Sequence, residues 1–216
     1  MNILAIPCNT QNYGGLRGQK VEYIVIHYTA GRGDTARNNG EYSAREVTGT
    51  SAHWFVDETD AVLSVEEHFV AWHCGGAVYK HPACRNSNSI GVELCSEMDA
   101  KGEYYFNSAT VENAKELVRQ LMAKYNVPEE RVLRHYDVTG KICPAPFVGA
   151  GKTAWEEFKG GLTVYQKLEN VPDWAKATVQ KVVDKGALKG DESGNLNLSG
   201  DLTRTLVILD RLGKLD

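Results

Sequence analysis

The sequence predicts an α/β protein: a mixed central β-sheet covered by helices, with a small C-terminal helical module. Three observations carry this. Short runs rich in Val, Ile and aromatic residues alternate with segments of helical periodicity, the pattern of a sheet layered with helices. One run, 21–28 (VEYIVIHY), is apolar on both faces, as a strand covered from both sides must be. Near Gly160-Gly161 the alternation stops and two helical patterns follow around a Gly-rich turn. A chain of 216 residues buries about 70% of its unfolded surface, enough for a core without disulfide staples.

In strand 21–28, Val21, Tyr23, Val25 and His27 share one face and Ile24 and Ile26 the other, and Gly31 and Gly33 end it. Segments 52–57 (AHWFVD) and 61–65 read as paired strands joined through Glu58-Thr59-Asp60. Segment 89–95 (SIGVELC) is a further strand, with Ile90, Val92 and Leu94 on one face and Gly91, Glu93 and Cys95 on the other. Ser108 or Thr110 caps a helix running to about Tyr125, in which Val111, Ala114, Leu117, Val118, Leu121, Met122 and Tyr125 form a stripe. Segment 131–134 is a short strand, followed by an irregular stretch holding Pro144 and Pro146, then a helix over 152–159. The organisation is a body over 1–160, a linker over 161–169 and a helical module over 170–216. In the module Pro172 opens the first helix, Trp174, Ala175, Val179, Val182 and Val183 form its apolar side, and Gly186 ends it. Gly190, Asp191 and Gly194 make the turn, and Asp201 or Thr203 starts the second helix with Leu206, Val207, Leu209 and Leu212.

Composition excludes several classes of function. The net charge is −4, and from residue 163 onward eight Lys and Arg balance eight Asp and Glu. That argues against nucleic acid as a partner, including for a helix-turn-helix reading of the module. No apolar run approaches the ~20 residues of a membrane span. Residues 1–10 carry no basic residue and only a short apolar stretch, so no signal peptide is expected. Five cysteines, with no CxxC pair, do not make a disulfide framework and suit a reducing compartment.

His27 and His135 each lie at the end of a strand, where open α/β sheets place ligands. Cys143 follows His135 by eight residues, a spacing that lets a loop curl back so that imidazole and thiolate face one point. Two histidines and one thiolate with an open fourth position make a catalytic zinc pattern. Lys141, two before Cys143, projects the same way in an extended segment, and Glu93 points away from the apolar face of its strand. The spacing alone leaves open a packed core histidine for His27, a surface carboxylate for Glu93 and a solvated lysine for Lys141.

Five ordered motifs add to this: YIVIHYTA (23–30), SAHWFV (51–56), Trp72-His73, NSIGVE (88–93) and HYDVTGKICP (135–144). Together they resemble the zinc-dependent N-acetylmuramoyl-L-alanine amidases of the peptidoglycan-recognition-protein-like family, which includes many phage endolysins. The resemblance covers about the first three quarters of the chain. It implies Zn2+ bound by His27, His135 and Cys143, with Glu93 and Lys141 catalytic. It implies that His73 lines the substrate cleft; His53 is either a second substrate contact or a structural strand histidine. Ala52 stands where some phage members carry a tyrosine, so the Glu93 form of the machinery is the relevant one. Peptidoglycan is the implied substrate. An endolysin would be held in the host cytoplasm until release to the wall. Three alternatives stay open: a non-catalytic peptidoglycan-binding protein, a cytoplasmic muropeptide-recycling amidase, and a structural-zinc domain without turnover, with His73 or Cys74 as its fourth ligand. In the module, VPDWA, VVDKGALKGDESG and Thr203-Arg204 resemble a single S-layer homology repeat, which implies binding to cell-wall polysaccharide. A single repeat binds weakly, and self-association as a homo-oligomer through Leu206, Val207 and Leu209 would restore multivalency; a helical cap on the body or a dimerisation element is the competing expectation.

Overall fold

A computed structural model describes residues 1–215. They form two compact units, which divide between Trp155 and Glu156. In chain order the first unit contains β1 (Asn2–Ala5), β2 (Tyr13–Leu16), β3 (Tyr23–Tyr28), α1 (Ala36–Arg45), β4 (Trp54–Val56), β5 (Asp60–Leu63), β6 (Phe69–Ala71), β7 (Ser89–Leu94), β8 (Glu97–Met98), β9 (Tyr104–Tyr105), α2 (Ser108–Tyr125), β10 (Val132–Arg134) and α3 (His135–Thr139). The unit boundary falls inside α4 (Lys152–Gly160). The second unit continues with β11 (Val164–Tyr165), α5 (Asp173–Asp184), β12 (Leu198–Ser199) and α6 (Gly200–Arg211).

Six strands form one mixed sheet in the order β1-β5-β4-β7-β3-β10. β4, β7, β3 and β10 run parallel, whereas β5 is antiparallel to β4 and β1 runs parallel with β5. The parallel centre must be covered on both faces, and it is: Ile24, Val25, Ile26, Ile90, Val92 and Leu94 are fully buried. α2 lies across β3, β4, β5 and β7 on one face, burying Ala114, Leu117, Val118 and Leu121 of the expected stripe. Its cap differs from the expectation. Asn107, one residue ahead of Ser108, holds the N-cap position, and Thr110 is buried within the helix. Asn126 closes the other end in the left-handed region (φ 52), with its N–H bonded to the Met122 carbonyl.

The opposite face is covered beside β4 and β5 by α1, a helix the hydrophobic pattern does not announce. Its sequence ARNNGEYSAR buries only Ala36, Gly40 and Ser43, so small residues rather than an apolar stripe face the sheet. The Thr35 side chain accepts from Asn38 N–H at 3.1 Å, and Asp57 accepts from Ala36 N–H at 2.8 Å, which together satisfy the start of the helix. Close approach is the reason for Gly40: a Cβ there would lie 2.8 Å from Val62 Cγ1.

The second unit has its own core of Val171, Ala175, Val179, Leu198 and Val207, with Leu206 packed against it. Val207 is buried in this core, and Leu206 is partly buried against it. Trp174, expected on the apolar side of α5, instead points outward and is 52% exposed. α6 starts from Ser199, whose side chain accepts from Leu202 N–H, one turn ahead of Thr203. Asp191 organises the Gly-rich turn by accepting the backbone N–H groups of Ser193 and Asn195 at 2.9 and 2.8 Å.

Gly40→Val should force α1 off β5 and lower the urea unfolding midpoint by the equivalent of about 1–3 kcal/mol, the usual cost of overpacking. An unchanged midpoint would mean that α1 does not seat as closely as described.

Candidate metal centre and cleft

Strand register assembles the site. His27 pairs with Glu93 across β3 and β7, so the two side chains stand side by side on one face at the C-terminal edge of the sheet. β10 pairs with β3 up to Arg134 opposite Ile26, which brings the next residue, His135, level with His27. The rings of His27 and His135 meet edge-on, with centroids 4.8 Å apart. After His135 the chain makes the short helix α3 where an irregular stretch was expected, and returns so that Tyr136 N–H donates to the Cys143 carbonyl at 2.8 Å. This closure delivers Cys143, and ligand atoms of His27, His135 and Cys143 all lie within 4.8 Å of one another. All three residues are buried, and Cys143 Sγ is 3.6 Å from His27 Nδ1.

The cluster opens into a cleft of about 360 Å3. Glu93, Lys141 and His73 line it beside the three donors. Its far wall comes from α1 and the segment after it, through Asn39, Tyr42, Thr48 and Thr50, none of which sequence reasoning singled out. The available signal was Thr35, a helix-capping type immediately ahead of ARNNGEYSAR. His53 does not line the cleft. It is fully buried one layer deeper, against the His73 ring at 5.6 Å between centroids, and Gly91 N–H donates to its Nδ1 at 2.9 Å while its Nε2 faces the Phe69 carbonyl at 3.3 Å. Both ring nitrogens therefore have partners within the protein. Cys8, Cys74, Cys84 and Cys95 are buried free thiols.

Burial governs the electrostatics. It pushes His27 well below the ordinary histidine value, aided by the neighbouring His73, and pushes His135 down to about 4, aided by the Lys141 charge. Burial also pushes the Cys143 thiol up to about 12 and the Glu93 carboxyl up to about 8, the latter partly offset by Lys141. Neither ring nitrogen of His135 has a hydrogen-bond partner, nor does Glu93 Oε2, although all three atoms are buried. Buried polar atoms are rarely left so. Two imidazoles and a thiol gathered within 4.8 Å, with both His135 ring nitrogens unsatisfied, fit a borderline-soft divalent metal such as zinc.

The sequence profile of the family described as N-acetylmuramoyl-L-alanine amidase matches residues 17–146. The chain belongs to this family. It is 40% identical over 154 residues to the N-acetylmuramoyl-L-alanine amidase CwlL of Bacillus licheniformis, and 36% identical over 156 residues to BlyA of Bacillus subtilis (strain 168). Each match covers 66% of this chain and 41% of the relative, so the chain aligns with about two fifths of the length of these amidases. The solved catalytic domain of XlyA superposes with a TM-score of 0.63 at 28% identity, covering 76% of this chain and 100% of that one. PlyL superposes with a TM-score of 0.62 at 29% identity, covering 76% and 98%.

The Glu93 shift has a measurable sign in the metal-free amidase-family chain. A carboxyl that titrates near 8 when folded and near 4.5 when unfolded keeps its proton longer in the folded state. Stability therefore falls as pH rises from about 4.5 to about 8. Glu93→Gln cannot ionise and should remove that part of the slope, raising the metal-free melting temperature at pH 8 relative to the parent and leaving the pair alike at pH 4. Parallel melting curves across that range would place Glu93 in a solvated setting.

Proposed function

We propose that this chain is a zinc-dependent N-acetylmuramoyl-L-alanine amidase of endolysin type, which hydrolyses the amide between N-acetylmuramic acid and L-alanine in bacterial peptidoglycan. The observation that carries this reading is the convergence of His27, His135 and Cys143, with the His135 ring nitrogens orphaned, at a cleft edge shared with Glu93. The family match and the solved XlyA and PlyL folds support it. A zinc ion held by these three residues supplies Lewis acidity toward the amide carbonyl and the attacking water. Glu93, beside His27, takes the proton of that water and delivers it to the leaving nitrogen. Lys141 places a positive charge on the same cleft, where the carbonyl oxygen becomes an oxyanion. The C–N bond breaks, leaving a carboxylate on the muramic acid lactyl group and a free α-amino group on L-alanine. The open cleft, walled by Tyr42, Thr48 and Thr50, suits a polymeric glycopeptide better than a small enclosed ligand.

Purified cell walls incubated with the protein should release L-alanine amino groups without new reducing sugar ends, and the active protein should hold one zinc per chain. Cys143→Ser should lose both the zinc and the activity. Glu93→Gln should keep the zinc and lose about a hundredfold or more in turnover. New reducing ends, or wall binding without any bond cleavage, would overturn the assignment.

For the C-terminal module the proposed role is attachment to wall polysaccharide. What supports it is the exposed Trp174 on a unit with its own apolar core, lying beyond the matched residues. Attachment to an insoluble substrate raises local enzyme concentration without touching the chemistry. Trp174→Ala should reduce co-sedimentation with walls and lysis of intact walls, while hydrolysis of a soluble muropeptide stays at the parental rate. Equal sedimentation of parent and variant would remove Trp174 from any wall contact.

A further inference from the structure

A file of hydrogen bonds leads from the metal centre into the protein. His27 Nε2 lies 3.0 Å from His73 Nδ1, His73 Nε2 lies 3.1 Å from Ser89 Oγ, and Ser89 Oγ lies 2.7 Å from the Arg85 carbonyl. The far end sets the direction. A carbonyl only accepts, so the Ser89 hydroxyl gives it its one proton and must then accept from His73. A neutral imidazole that donates through Nε2 has a bare Nδ1, so His73 in turn accepts from His27 Nε2–H. That leaves His27 Nδ1 bare, and Nδ1 is the nitrogen that faces Cys143 Sγ.

We infer that His73 and Ser89 are positioning residues of the metal centre: they lock the His27 proton on Nε2 and so present its Nδ1 as a ready donor to zinc. This rests on the zinc reading above and gives His73 a task beyond lining the cleft. His73 is built for it. Its ring occupies the space where a Gly91 side chain would stand, since a Cβ there would come within 2.5 Å of His73 Cγ. Asn86 Oδ1 holds the neighbouring backbone by accepting from His73 N–H at 3.2 Å and Cys74 N–H at 2.8 Å. Gly91 and Ser89 of the NSIGVE motif and His73 of the Trp72-His73 pair thus form one device. An imidazole free to turn over or change tautomer would present Nδ1 only part of the time, and outer partners of this kind are worth about 10- to 100-fold in metal affinity.

The test uses the full chain. Imidazole 15N correlation spectra of the metal-free protein should show His27 and His73 both protonated on Nε2, and a His27 protonated on Nδ1 overturns the inference. Zinc affinity, read by competition with a chromophoric chelator, should fall about 10- to 100-fold in His73→Ala. It should recover in part in His73→Asn, whose amide oxygen can accept near the place of Nδ1. A folded His73→Ala that binds zinc as tightly as the parent overturns the inference, as does an equal loss in both variants. Should His73→Ala fail to fold, Ser89→Ala repeats the test one link back: a severalfold loss supports the relay and no loss overturns it. A parent chain that takes up no zinc sinks the metal reading, and the imidazole spectra then still decide the relay by themselves.

Discussion

The register of three parallel strands is the constraint on which the site depends. Because side chains alternate with a period of two, slipping β7 by one residue against β3 would send Glu93 to the α2 face and bring an aliphatic side chain beside His27. What prevents the slip is burial on both faces. Ile24 and Ile26 lie level with Ile90 and Val92 under α2, while Val25 packs with Tyr23, Cys74, Cys84 and Val138 on the other side. The cluster of His27, Glu93 and His135 is thus held in register by apolar surface outside the cleft. Two of the three residues are delivered by strand ends and the third by a loop closed on its own backbone.

How much of this was legible followed from how strongly each segment's pattern was tied to one face. β3, β7, β10 and α2 carry clean two-residue or helical periodicity, and their positions agree with it to within two residues. α1 was illegible for a physical reason: a helix that approaches a sheet through Ala36, Gly40 and Ser43 shows no apolar stripe, since its fit depends on smallness. The same holds at the site. His27, Glu93 and His135 sit on or beside strand ends, Lys141 and Cys143 lie in the loop after α3, all in recognisable motifs, and they line one cleft. His53 and His73 lie ahead of β4 and after β6, where no periodicity says which way a ring turns. One proves to lie under the other, and only the coordinates show the order of the two layers. In the C-terminal module, residue type located the helices but not their exposure, as the outward Trp174 and the inward Val207 show.

Burial gives the centre a common electrostatic character. The same desolvation that discourages charge on His27 and His135 discourages it on Cys143 and Glu93, with Lys141 opposing it at Glu93. A site built this way stores affinity for a cation. Each unsatisfied lone pair is a cost of folding without metal, and a divalent ion would relieve it. Lys141 is the exception that limits how much positive charge the cleft tolerates, and it lies at the solvent side of the cluster, where water shares its field.

The burial of Cys143 also bears on the chemical durability of the protein. Thiols are alkylated and oxidised through the thiolate, and a thiol held near 12 and 3% exposed offers almost none of that form to reagents at neutral pH. Burial alone thus keeps this sulfur from peroxide and electrophiles, with no disulfide required to protect it.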